Sequence, residues 1–88
     1  MAQAGGGEIA VESMLRFGSN RDLQEFACFA VGNIALHNSD HAIRLGEAGA
    51  VGAICKALNR FTASSTLAEF GCNALTNLTC GDQSFIYF

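Results

Sequence analysis

Two stretches of this sequence are closely similar. Residues 23–35 read LQEFACFAVGNIA, and residues 67–79 read LAEFGCNALTNLT, which is a near-copy displaced by 44 positions. The identical pairs are Leu23/Leu67, Glu25/Glu69, Phe26/Phe70, Cys28/Cys72, Ala30/Ala74 and Asn33/Asn77. Weaker similarity continues upstream with a register of 43. A period of 43 to 44 residues is typical of helical solenoids, which stack one supersecondary unit many times.

Both copies are predicted to be helical from the spacing of their apolar residues. These residues recur at steps of three and four and so form one stripe in each copy: Leu23, Phe26, Ala27, Ala30, Val31 and Ile34, then Leu67, Phe70, Gly71, Ala74, Leu75 and Leu78. Residues suited to capping a helix N-terminus precede each stripe: Ser19, Asn20 and Asp22, then Ser64, Ser65 and Thr66.

The sequence between the copies predicts two further helices. Ser39 or Asp40 is expected to cap a short helix that runs through Leu45. The GEAG sequence that follows breaks this helix, and Gly49 tolerates the positive φ that a sharp corner needs. A second helix is predicted over residues 50–60, with Val51, Ile54 and Leu58 on one face.

The segments RLGEAGAV (44–51) and LQEFACFAVGNIA (23–35) resemble the armadillo repeat. That repeat has a first helix ending in a glutamate-alanine-glycine-alanine corner, a second helix, and a third helix carrying alanine-x-tryptophan-x-leucine-x-asparagine. The resemblance implies an all-α, right-handed α-solenoid over residues 8–83, with a partial repeat at 8–37 and a complete one at 40–80. First, second and third helices are then expected at 41–47, at 8–17 and 50–60, and at 22–37 and 66–80. Residues 1–7 are predicted to be flexible, and 84–88 (SFIYF) form an apolar tail.

The chain departs from the armadillo pattern at two kinds of position. Gly52 stands where the pattern usually has proline at the start of the second helix, and the chain contains no proline at all. The tryptophan position is Phe29 in one copy and Asn73 in the other. The first copy therefore keeps an aromatic side chain at this position, and the second does not.

The resemblance implies that the third helices line a groove that binds an extended peptide or protein segment. Asn33 and Asn77 match the asparagines that hold the peptide backbone, and Phe29 and Asn73 match the tryptophans. Residues four apart share one helix face, and an amide offers both a donor and an acceptor. A structural reading stays open beside this one: the asparagines satisfy loop groups between repeats, and Phe29 packs between repeats.

Composition argues against several other function classes. The net charge is −3, and the five basic residues form no stripe, so we expect no nucleic-acid partner. No apolar run approaches the length of about 18 residues that suggests a membrane span, and the N-terminus does not resemble a secretory signal. By elimination, the expected location is the cytoplasm, the nucleus or both.

Enzymatic and metal sites are not predicted. The four cysteines lack zinc or redox spacing and are expected to be reduced and structural, with Cys28 and Cys72 deep in apolar helices. His37 and His41 flank a predicted helix break with no third strong ligand nearby. We therefore expect a non-enzymatic interaction module without metal or cofactor. The alternative is a purely structural segment that stacks on further repeats or self-associates through its exposed ends.

Overall fold

The computed structural model describes residues 6–36 and 38–79 of the 88-residue chain. The described residues form five helices joined by short turns, without a strand: α1 (Gly6–Arg16), α2 (Arg21–Leu36), α3 (Ser39–Glu47), α4 (Ala50–Arg60) and α5 (Ser65–Thr79). The all-α prediction is confirmed, and each helix begins within two residues of its expected start. The predictions for residues 1–5, 37 and 80–88 lie outside the described residues.

The two copies of the repeated sequence pack against each other. They form α2 and α5, which share the most extensive helix–helix contact in the chain, while α1 contacts α4 and α3 contacts both α2 and α5. Half of the buried apolar residues are alanines, which let the helix backbones approach closely; the set is Val11, Met14, Ala27, Cys28, Val31, Ala35, Ala42, Leu45, Ala50, Ala53, Ile54, Ala57, Leu67 and Ala74.

Equivalent residues cap the two long helices. The Asn20 side-chain oxygen accepts a hydrogen bond from the Leu23 N–H at 3.0 Å, and the Ser64 hydroxyl accepts one from the Leu67 N–H at 3.0 Å. Both residues were among the predicted caps. Asn20 and Ser64 lie 44 positions apart, so the repeat extends to the start of each helix.

The cap of α3 differs from the prediction. Asn38, rather than Ser39 or Asp40, is the N-cap, and its side chain accepts a hydrogen bond from the His41 N–H at 3.1 Å. The predicted caps were wrong because Asn38 has extended backbone angles suited to capping, and the helix already begins at Ser39. The predicted corner is confirmed: Gly49 has φ = 99° immediately before α4.

Helix α1 begins earlier than the sequence predicts. Gly6 and Gly7, which we assigned to the flexible segment over 1–7, lie in the first turn of α1. Glycine is a poor helix former, which is why the sequence pattern missed these two positions. Gly7 is buried against the side chains of Leu45 and Ile34, and a Cβ atom at Gly7 would lie 2.7 Å from a Leu45 methyl carbon. Tertiary packing thus outweighs propensity here.

Some residues of the predicted apolar stripes are exposed. Phe26 is 72% exposed and Val51 is 39% exposed, although both belong to predicted apolar helix faces. The physical reason is that a stripe of three- and four-residue steps is wider than the surface that a neighbouring helix covers. Phe70, the equivalent of Phe26, is partly buried because its ring contacts α2.

Candidate functional site

The predicted binding residues lie on the two repeated helices. Phe29 and Asn33 are on α2, and Asn73 and Asn77 are on α5. Phe29 is 45% exposed, Asn33 and Asn73 are exposed, and Asn77 is partly buried. We refer to these four residues as the amide face.

The two α5 asparagines meet α2 at Gly32, the neighbour of Asn33. The Asn77 amide nitrogen donates a hydrogen bond to the Gly32 carbonyl oxygen at 2.9 Å. The Asn73 amide nitrogen lies 3.5 Å from the position of a Cβ atom built on Gly32. The structure therefore brings Asn73 and Asn77 together beside the backbone that carries Asn33.

The bond from Asn77 is a structural contact between the repeated helices. A carbonyl oxygen has two lone pairs, so the Gly32 oxygen has capacity for this bond besides a helical one. This bond uses one of the two amide hydrogens of Asn77 and leaves the other hydrogen and the side-chain oxygen without a part in it. Asn33, the equivalent residue in α2, is exposed.

Phe29 is held in place by an aromatic partner that the sequence analysis did not single out. The rings of Phe29 and Phe70 have centroids 5.1 Å apart and planes tilted by 51°. This geometry lies in the range that aromatic pairs prefer. Phe29 therefore combines the two readings left open above: one part of its ring packs between the copies, and the other part is exposed.

Helices α2 and α5 approach each other closely at Gly32. A Cβ atom at this position would lie 3.4 Å from the Ala74 Cα and 3.6 Å from the Ala74 Cβ. These are ordinary van der Waals distances, so alanine is the largest side chain that the spacing admits without adjustment. Gly32 is buried, and Asn73 and Ala74 of the second copy lie against it.

A second polar contact joins the start of α5 to α2. The Ser64 hydroxyl donates a hydrogen bond to the Glu25 carboxylate at 2.7 Å while it accepts the capping bond from Leu67. Arg21, one turn before Glu25, places its Nε 3.7 Å from the same carboxylate oxygen. The sequence alone gives no partner for Glu25.

The cysteines fall into two environments. Cys28 is fully buried, and burial raises the pKa of its thiol to about 11. Cys72 is exposed, so the expectation that it lies deep in an apolar stretch was wrong: its face of α5 has no helix packed on it among the described residues. Cys55 is exposed as well, and these three cysteines are free thiols.

The described residues do not carry the features of a metal site or of a membrane span. Residues 6–36 and 38–79 contain no group of three or more side chains suited to holding a metal ion. None of their helices combines the length and apolarity needed to cross a membrane. His37 of the disfavoured metal site lies outside the described residues.

Comparison with known proteins gave no match. No protein-family model, no curated protein and no solved structure is similar to this chain. The features that bear on its function are those of the chain itself, namely the internal repeat and the surfaces that the repeat creates.

Proposed function

We propose that this chain is a segment of an armadillo-type, right-handed α-solenoid and that it binds an extended peptide or protein segment along the amide face. The segment has about two repeats, of which one is complete, and it acts without catalysis. Support comes from the order of the helices, the positive-φ corner at Gly49 and the lateral packing of α2 on α5.

One observation carries the proposal: an exposed aromatic ring stands in a row of exposed amides. Phe29 is 45% exposed yet anchored by Phe70, so it offers apolar area at little cost in side-chain entropy. Asn33 and Asn73 offer donors and acceptors to a peptide backbone on neighbouring helices. Because an extended peptide carries unpaired N–H and C=O groups, this combination suits it.

A second candidate function has its own support. The bonds from Asn77 to Gly32 and from Ser64 to Glu25 both serve packing between the copies. They favour the alternative in which the repeated residues exist to stack helices and bind no peptide. The two candidates differ in the effect of substituting Asn33, which has an exposed amide and is not needed for either bond.

Selection from a displayed library of random peptides tests the proposal. Peptides enriched on the 88-residue chain are then titrated against Asn33→Ala and Phe29→Leu variants by fluorescence anisotropy. Loss of one amide contact, worth about 1 kcal/mol, corresponds to a decrease in affinity of about fivefold. Asn59→Ala is the matched control, because Asn59 is an exposed asparagine on α4, away from the amide face.

The two candidates make opposite predictions for this titration. Under the proposed function, Asn33→Ala and Phe29→Leu weaken binding while Asn59→Ala leaves it unchanged. Failure to enrich any peptide, or enrichment of peptides whose affinity survives both substitutions, contradicts the proposal and favours the stacking role. Circular dichroism of each variant establishes that a loss of affinity is not a loss of fold.

A further inference from the structure

The contact between α2 and α5 supplies a template for a second interface. The Ser64 hydroxyl of the α5 side donates a hydrogen bond to Glu25 of α2 at 2.7 Å. The rings of Phe70 and Phe29 pair with their centroids 5.1 Å apart. Ala74 lies against Gly32, where a Cβ atom would be 3.4 Å from the Ala74 Cα. Helix α5 and its cap therefore contribute a hydroxyl, an aromatic ring and a small residue to this contact. Helix α2 contributes the carboxylate, ring and glycine that pair with them.

Because of the internal repeat, α2 carries residues equivalent to those that α5 uses in this contact. The residues 44 positions before Ser64, Leu67, Phe70 and Ala74 are Asn20, Leu23, Phe26 and Ala30, which we call the leading edge. In α5 these positions are covered: Leu67 and Ala74 are fully buried. On the leading edge they are open, since Leu23 and Ala30 are half-buried and Phe26 is 72% exposed.

The opposite edge of the stack does not repeat the α2 side faithfully. The equivalents of Glu25, Cys28, Phe29 and Gly32 are Glu69, Cys72, Asn73 and Thr76, which we call the trailing edge. All four are exposed. Thr76 stands in place of Gly32, so this edge carries a β-branched side chain where α2 presents only backbone. The stack therefore has one apolar edge and one polar edge.

We propose that the leading edge docks an α-helix of a partner protein whose contact face carries a carboxylate at the Glu25 position and a small residue, glycine or alanine, at the Gly32 position. Phe26 then packs on the partner helix as Phe70 packs on α2. Asn20 caps α2 through its side-chain oxygen and donates from its amide nitrogen to the carboxylate, as Ser64 does to Glu25. The stacking of a complementary helix explains why Phe26 is aromatic and exposed.

A partner helix fits the leading edge better than a second copy of this chain. A second copy that used its trailing edge would bring Thr76 against Ala30, where the template has Gly32 against Ala74. It would also bring Asn73 against Phe26, where the template has an aromatic pair. The carboxylate alone would match, through Glu69. Two of these three contacts are thus weakened in such a dimer.

The probe for this surface is a peptide with the sequence of residues 20–36. Short helices are marginal in water, so the peptide carries Phe26→Glu and Ala30→Lys joined as a lactam, which fixes the helix and removes its own leading edge. The peptide is titrated into the isotopically labelled 88-residue chain and followed by two-dimensional NMR. We expect saturable shifts at Asn20, Leu23, Phe26 and Ala30 and none on the trailing edge.

Paired substitutions test the individual contacts. Phe26→Asp in the chain and Gly32→Leu in the peptide are each expected to weaken binding at least tenfold. Asn20→Asp keeps a good N-cap but replaces the amide donor with a second carboxylate, so it weakens binding. Asn20→Ser keeps both the cap and the donor, as Ser64 does, and leaves binding within about twofold. Asn59→Ala, an exposed position on α4 outside both proposed surfaces, leaves it unchanged.

Three results would overturn the inference. One is binding that survives Phe26→Asp, or shifts confined to the trailing edge. Another is an affinity that does not respond to Gly32→Leu in the peptide, which means that close helix stacking is not involved. The third is a dimer of the chain, seen by light scattering, that Phe26→Asp dissociates and that excludes the peptide; the occupant is then a second copy.

Discussion

At the scale of single residues, Gln24 joins α2 to the end of α1. It is 2% exposed, and its amide nitrogen donates to the carbonyl oxygens of Met14 at 3.1 Å and Phe17 at 3.0 Å. These carbonyls belong to the last turn of α1 and the turn after it, where helical partners run out. One side chain therefore satisfies two backbone acceptors and fixes the angle between the two helices.

Substituting Gln24 by alanine is expected to destabilise the fold by about 1–3 kcal/mol, because the Met14 carbonyl oxygen loses its donor in a buried place, whereas the Phe17 oxygen keeps the Asn20 N–H. Urea unfolding followed by circular dichroism measures the change. The repeat provides a control, since the equivalent residue in α5 is the exposed Ala68, and Ala68→Gln should change stability by less than about 0.5 kcal/mol. Equal effects of the two substitutions would show that the Gln24 bonds contribute nothing specific.

The buried thiol of Cys28 makes stability depend on pH in the alkaline range. Burial raises its pKa from 9.0 to about 11, so the native state holds the proton more tightly than the unfolded chain does. The contribution is complete below pH 9 and is lost as the pH rises through about 11, by about 2–3 kcal/mol in total.

Unfolding by urea at a series of pH values between 8 and 11.5 measures this dependence. The comparison is with Cys28→Ala, which lacks the titrating group and should show a shallower decline over the same range. A thiol reagent at pH 8 should also label Cys55 and Cys72 much faster than Cys28. Parallel pH profiles for the two proteins would contradict the assignment.

At the scale of helices, the repeat offers two N-caps that differ in one respect. Asn20 caps α2 alone, whereas Ser64 caps α5 and also donates to Glu25. Loss of a cap costs about 1 kcal/mol. We expect Ser64→Ala to destabilise by a further 1–2 kcal/mol relative to Asn20→Ala, since the Glu25 carboxylate loses its donor as well.

Thermal and urea unfolding of the two cap variants measure this difference directly. A double-mutant cycle with Glu25→Gln isolates the bond between Ser64 and Glu25 from the cap itself. A coupling of zero between the two positions, together with equal costs for the two caps, would mean that solvent replaces the bond without loss.

The sequence predicted the helices better than the contacts between them. Apolar periodicity and the glycine corner predicted α4 at its observed bounds. Residue types suited to N-capping included Asn20 and Ser64, the observed caps. These signals succeed because they are local. The ring pair of Phe29 and Phe70 joins residues far apart in the chain, and its geometry is set by the spacing of α2 and α5. No local pattern encodes that spacing.

Exposure was the least predictable property of the candidate site. Identical residues of the repeat differ in burial: Cys28 is enclosed and Cys72 is exposed, and Phe70 is packed whereas Phe26 is open. The difference comes from position in the stack, since each residue is covered only when a helix lies beside it. Two copies of a sequence therefore do not imply two copies of a site.

At the scale of the whole molecule, the polarity of the two edges controls assembly. A leading edge that matches a trailing edge would join head to tail without closure, and such contacts generate filaments. We expect the polar trailing edge, with Thr76 at the Gly32 position, to disfavour such contacts. Asn73→Phe combined with Thr76→Gly restores an α2-type surface there, so we expect the double variant to form oligomers that lengthen with protein concentration.

Multi-angle light scattering over a concentration series measures the growth of these oligomers against the unmodified chain. Adding Phe26→Asp to the double variant supplies the decisive control, because it places a charge on the leading edge and leaves the new trailing edge intact. Growth that stops with Phe26→Asp means that α2 and α5 present the two halves of one interface. Growth that continues means that the new phenylalanine causes nonspecific association. Absence of growth means that Thr76 is not what keeps the trailing edge unpaired.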